Sequence, residues 1–247
     1  MESKVALLKQ VVTIHAESCQ KVKMCDHSEV KLPPGLDLGN GDLVEKVQSF
    51  CYLGDMIGNS GGSEHAVTAR IRSAWNRFRQ LVSFLTTNDV SLKMRGKVYE
   101  LCVRSCLLYG SETWVMKKEE ETKILRNENQ MMRWLCRVKL MDKMSSEELR
   151  RRLGLESIDV VMRRRRLRWF GHVERKEDSW VKHCMEMDIP GKKPKGRPKK
   201  TWWECVQKDM KEVGLKRDDA LDRIKWRRGI SERVGYLGAG LPGSILE

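Results

Sequence analysis

SSEELRRRLGLESIDVVMRRRRLRWFGHV, Ser145 to Val173, reads as two helices joined by a tight turn. Ser145 and Glu148 have the spacing of a capping box, in which hydroxyl and carboxylate satisfy free amides in the first helical turn. Gly154 stands where the first helix should stop, because glycine enters the left-handed backbone region without a Cβ penalty. A second helix over about Ser157–Val173 follows, with Ile158, Val161, Met162 and Trp169 as its apolar face and the arginines outward. The pair has helix-turn-helix proportions.

Working toward the N-terminus, Val67, Ile71, Ala74, Phe78, Leu81 and Leu85 recur every three or four residues and predict a helix from Ser63. Arg70, Arg72, Arg77 and Arg79 fall largely outside that stripe. A second helix is expected over Ser91–Leu108, capped by Ser91 and burying Val98, Leu101, Cys102 and Ser105. A third, from Lys117 to Arg137, would pack on Ile124, Leu125, Glu128, Met131, Met132 and Leu135. Before them, LVEKVQSFCYLGDMI (Leu43–Ile57) is rich in β-branched and aromatic residues and bounded by Gly and Asn, which favours a strand or hairpin. Residues 1–42 suggest a short helix to about Cys19, then a loop or linker at LPPGLDLGNGD.

Toward the C-terminus, Pro190, Pro194 and Pro198 remove amide donors from PGKKPKGRPKK and predict an extended basic tether. Thr201 and Glu204 form another capping box, opening a helix with Trp202, Val206, Met210 and Val213 that Gly214 closes. A short helix over about Arg217–Arg228 follows, and GYLGAGLPGSILE, without a period, is expected to be disordered. The fold class is therefore mostly α: a helical bundle preceded by a short β hairpin or strand pair and followed by a basic helical extension. Its segments are 1–42, poorly defined; 43–140, strands plus bundle; 141–189, the basic helix pair; 190–200, the linker; 201–230, C-terminal helices; and 231–247, the tail.

Charge points to the partner. Arg163–Lys200 holds fourteen Lys or Arg against five Asp or Glu, so nine of the chain's fourteen net positive charges fall there. Trp169, Phe170 and Trp180 lie among them, which suits a polyanion with stackable faces. The candidate phosphate contacts are Arg163, Arg164, Arg165, Arg166, Arg168, Lys192, Lys193, Lys195, Arg197, Lys199 and Lys200, with Trp169 and Trp202 placed to stack or to pack. KGRPKK resembles an AT-hook, and equally serves as a nuclear-import signal or a nonspecific phosphate contact.

Other chemistry has little footing. Asp218 and Asp219, the one adjacent aspartate pair, read as the charged first turn of a helix and not as a two-metal polymerase centre. Cys102 with Cys106, Cys19 with Cys25 and His27, and His172, His183, Cys184 and Cys205 have spacings unlike zinc sites. P-loop, HExxH and GxSxG motifs do not occur. No catalytic residue, metal or cofactor is expected. Eight scattered cysteines and no secretory signal imply an intracellular setting, with nuclear import permitted by the linker. No apolar run has the length of a membrane span, so no membrane partner is expected.

Five motifs occur in order: FCYLGDMI (Phe50–Ile57), RIRSAWNRFRQL (Arg70–Leu81), LLYGSETW (Leu107–Trp114), RRLRWFGHVERKED (Arg165–Asp178) and GRPKKTW (Gly196–Trp202). Together, over about residues 43–230, they resemble the C-terminal part of reverse transcriptases encoded by LINE-type, non-LTR retrotransposons. The resemblance implies a primer grip at Phe50, Tyr52, Leu53 and Gly54, a thumb over Ser63–Arg137, and a tail that contacts element RNA or target DNA. The fingers, palm carboxylates and endonuclease of that family have no counterpart here, which implies a truncated or domesticated remnant. It would bind RNA, DNA or their hybrid, alone or beside a separate catalytic reverse transcriptase chain, and would be inactive as a polymerase by itself. Two rival readings are a chromatin-type DNA-binding protein, using the helix pair and the AT-hook-like segment, and a relic without function.

Overall fold

The strand-forming run from Leu43 pairs twice. The computed structural model describes residues 23–25, 35–37, 43–52, 55–58, 62–176, 180–186 and 200–236, and the chain divides into two units, Met1–Ala69 and Arg70–Glu247. In the first unit β1 (Lys23–Cys25), β2 (Gly35–Asp37) and β3 (Leu43–Val47) form a sheet of order β1-β3-β2, with β1 parallel and β2 antiparallel to β3. Gly35–Asp37 lies inside the expected loop LPPGLDLGNGD, a correction: backbone pairing to β3 recruits a stretch with little strand propensity of its own. β4 (Ser49–Tyr52) and β5 (Asp55–Gly58) make the expected antiparallel hairpin, with Phe50 opposite Ile57 and Cys51 opposite Met56. Phe50 and Tyr52 are half-buried on β4, while Leu53 and Gly54 lie outside the described residues.

Mostly helical structure follows. α1 (Glu64–Gln80) breaks at Leu81 before α2 (Val82–Thr86), so the single expected helix is two. In the second unit Phe78 is buried edge-on to Trp75 and Trp134, with ring centroids 5.6 and 6.4 Å away. The Trp75 indole N–H donates to Asn127 Oδ1 at 2.8 Å, fastening α1 to α5 (Lys118–Cys136). Buried residues of α5 include Ile124, Glu128, Met131, Met132 and Leu135, as its period predicts; Leu125 is half-buried.

Ser91 caps α3 (Leu92–Val98) by accepting the Met94 N–H at 3.3 Å. The rod continues through π-helical turns at Tyr99–Arg104 into α4 (Ser105–Leu107). Its buried residues include Arg95, Tyr99, Val103, Arg104 and Leu107, whereas of those expected inside Val98, Cys102 and Ser105 are half-buried and Leu101 is 66% exposed. The π turns explain that correction. An α-helix rotates an every-fourth-residue stripe steadily round the rod, and wider π turns rotate it back. Arg104, carried inward by this shift, meets the otherwise uncompensated Glu128 at 2.6 Å. Its guanidinium also donates to the Glu156 carbonyl at 2.6 Å, tying the bundle to the turn before the next long helix.

That turn follows α6 (Ser146–Leu153) and ends in α7 (Ile158–Glu174), with Gly154 at φ 67° between them. Ser145 accepts the Glu148 N–H at 3.2 Å. The second half of the expected capping box is replaced: the Glu148 carboxylate reaches forward to Arg151 and Arg152 at 2.7 and 2.8 Å. α7 does not have one apolar face. Ile158, Val160, Met162, Leu167, Phe170 and Val173 are buried all round it, while Val161 and Trp169 are half-buried. The cause is its central position, packed by the 3-10 turn Ser111–Thr113, α8 (Trp180–Glu186), α9 (Trp202–Val213) and α10 (Arg223–Tyr236). Leu167, Phe170, Val206, Met210, Trp226 and Ile230 meet in that core.

The Thr201–Glu204 capping box is complete, and Gly214 closes α9. The helix expected over Arg217–Arg228 is two pieces, a 3-10 turn, Arg217–Ala220, in which the Asp219 carboxylate accepts the Lys216 N–H at 2.9 Å, and α10 from Arg223. α10 runs to Tyr236, past the expected boundary at 230, so the first residues of the expected disordered tail are helical. The rest of the tail, and the linker with Lys192, Lys193, Lys195, Arg197 and Lys199, lie outside the described residues.

Candidate nucleic-acid interface

The four consecutive arginines of α7 do not stand outward. Arg163 pairs with Glu212 at 2.6 Å, Arg164 with Glu156 at 2.7 Å, and Arg166 with Asp209 at 2.6 Å. Arg165 donates to the Leu108 carbonyl at 2.8 Å and lies 3.6 Å from Glu112. Their side chains keep between 12% and 30% of their surface. The expectation of an outward row is thus corrected: α9, the turn before α7 and the Ser111–Thr113 turn each bring a carboxylate to the run. Burial pushes the Asp209 carboxyl above its ordinary range, and the Arg166 and Arg163 guanidiniums pull it back. The helix-turn-helix proportions are realised, but these arginines are already bonded within the protein.

Beyond that run, the same helix meets α10 in a cleft of about 700 Å³ lined by Arg168, His172, Arg175, Lys176, Arg223, Trp226 and Arg227. Gly171 makes the approach possible: a Cβ there would come within 2.3 Å of the Trp226 indole nitrogen. Trp226 is buried and its N–H donates to the Leu167 carbonyl at 3.0 Å, so its ring joins α10 to α7. The Arg175 guanidinium donates to the Ala220 carbonyl at 2.7 Å, which holds it in place without neutralising it.

No residue lining this cleft is acidic. Among the described residues, none of its five Arg and Lys side chains has a carboxylate at ion-pair distance. Burial, then the neighbouring Arg164, Arg227 and Arg165, lowers the Arg168 pKa; burial and then Arg223 lower that of Arg175. Like charges crowded into a cleft raise the local potential for an anion, and guanidiniums bind phosphate through paired N–H donors.

A second open cleft of about 670 Å³ shares Arg168 and His172 with the first and is also lined by Gly110, Glu112, Thr113, Arg165 and Trp169. The half-buried Trp169 ring stacks on His172, with centroids 5.6 Å apart and planes at 29°. Trp202 has a different employment: its indole N–H donates to the Glu112 carbonyl at 2.8 Å and its ring packs beside Phe170. Lys200 is exposed just before α9.

In the sequence His172 is weighed only as a metal ligand, and Arg175, Lys176, Arg223 and Arg227 do not stand out as phosphate contacts. The signal was present in the four-residue steps Arg164–Arg168–His172 and Arg223–Arg227, which put like side chains on one helix face. Only the packing of α10 on α7 shows that the two faces meet.

The chain is similar to a transposon-derived protein. It is 26% identical over 179 residues to an uncharacterized transposon-derived protein of Caenorhabditis elegans, covering 68% of this chain and 62% of that relative. The chain thus spans less than two thirds of the relative's length. This likeness supports a transposon origin. No family model and no solved structure matches the chain.

Other groups hold local structure. The Cys106 thiol donates to the Cys102 carbonyl at 3.2 Å, and among the described residues no cluster of three or more His, Cys, Asp or Glu is placed to hold a metal ion. Among the same residues, no helix is long and apolar enough to cross a membrane.

Proposed function

We propose that this chain is a nucleic-acid-binding piece of a retrotransposon-derived RNA-directed DNA polymerase, holding RNA, DNA or their hybrid by the phosphate backbone without performing the polymerisation chemistry. The α7–α10 cleft carries the proposal, because it gathers five Arg and Lys side chains with no acidic lining residue. The similarity to a transposon-derived protein, and the five ordered motifs resembling a LINE-type reverse transcriptase tail, support the retrotransposon part. In this reading the hairpin residues Phe50 and Tyr52, with Leu53 and Gly54, act as a primer grip. The α1–α5 helices act as a thumb, a catalytic reverse transcriptase chain is a candidate partner, and the masking of Arg163–Arg166 by carboxylates shifts phosphate contact to the cleft.

The experiment is fluorescence anisotropy of labelled RNA, DNA and hybrid against the purified chain over a salt series. Phosphate-dominated binding gives a linear fall of log affinity with log salt, roughly 0.7 to 0.9 per contact. A flat salt response, or no binding at low salt, would sink the proposal.

A further inference from the structure

We infer that the two adjoining clefts on α7 form one composite site for a single unpaired strand, with a phosphate between α7 and α10 and the neighbouring base against Trp169. This rests on the reading of the chain as a nucleic-acid-binding protein and adds which form of nucleic acid the site selects. The cationic cleft has charge from both sides, Arg168 on α7 and Arg175 just past its end, Arg223 and Arg227 on α10. Cations so placed surround a phosphate, whereas a duplex presents its phosphates on a convex surface better met by a single row. The second cleft begins where the first ends, since Arg168 and His172 line both.

There the partner chemistry changes. Trp169, half-buried and stacked on His172, lines this cleft together with Gly110, Glu112 and Thr113 of the adjoining turn. A base is flat, apolar on its faces and polar at its edge, so the cleft offers both surfaces it needs. A base inside a duplex has its faces and pairing edge occupied, so it enters only unpaired. Both cleft volumes, about 700 and 670 Å³, fall within the range of roughly 300 to 1,000 Å³ common for ligand sites. RNA and DNA strands share this chemistry.

The test uses the full chain and labelled twelve-residue probes: oligo(U), oligo(dT), a dA·dT duplex, and an abasic strand carrying phosphates without bases. The inference predicts that oligo(U) or oligo(dT) binds about tenfold or more tightly than the abasic strand and the duplex, consistent with the worth of one base–aromatic stack. Trp169→Ala should erase that advantage and leave abasic binding unchanged, while Trp169→Phe retains most of it. A thermal midpoint for each variant checks folding, and the probe comparison on the unaltered chain needs no variant at all. Equal binding of base-bearing and abasic strands, or a duplex preference, overturns the inference and leaves nucleic-acid binding standing. No binding of any probe overturns both.

Discussion

The paired arginines of α7, Arg163 to Arg166, and the cleft cations one turn further on are the same chemistry in two employments. The first group is spent inside the protein, on Glu212, Glu156, Asp209, and a carbonyl beside Glu112. The second group has no acidic neighbour lining its cleft. A run of four arginines draws the eye in the sequence, yet a guanidinium already held by a carboxylate must break that bond to take a phosphate. Charge density along a chain therefore overstates how much of that charge a ligand meets.

The comparison is easiest to break at its fully buried extreme. Arg104→Ala leaves Glu128, whose side chain is 0% exposed, without its 2.6 Å partner. Stability should fall by about 3 to 5 kcal/mol, as for other buried pairs that lose one member, measured by urea denaturation. Arg166→Ala tests the half-buried class. It should cost about 1.5 to 3 kcal/mol, the worth of a hydrogen bond to a charged group, while polynucleotide affinity stays unchanged. Asp209, already pushed up by burial, rises further without Arg166, so this deficit should shrink as pH falls and the carboxyl takes a proton.

Arg227→Ala sharpens the other side. It should leave stability within about 0.5 kcal/mol and lower the salt slope of polynucleotide binding by about one. The smallest effect belongs to Glu148→Gln on α6. Arg151 and Arg152 hold this exposed carboxylate down to about 2, so its stabilisation is present above the usual carboxylate range and lost as pH falls through about 2. The variant should melt slightly below the parent at neutral pH, with the gap closing toward pH 2 in a thermal-melt series.

Much of the fold was legible because local signals carried it. The Phe78 and Met131–Leu135 stripes repeat at helical spacing, and Ser91, Gly154, Thr201 and Gly214 cap or close helices where their chemistry places them. What escaped was non-local. The stripe of the rod from α3 to α4 follows π turns that no residue announces, and α7 has no single face because elements pack around it on several sides. The basic region was also legible, but which of its cations are paired within the protein was not. Asp209, the partner of Arg166, is 43 residues away in sequence, and Arg223 and Arg227 are brought beside α7 by the packing of Trp226 on Gly171 and Leu167.

The most direct measurement is the salt dependence of polynucleotide binding by the intact chain and by the triple variant Arg168→Ala, Arg223→Ala, Arg227→Ala. If the cleft holds the backbone, the variant keeps its thermal midpoint while its slope falls by roughly two to three log units per log unit of salt. Unchanged slope and affinity in a folded triple variant would contradict that, and would place the phosphate contacts elsewhere on the chain.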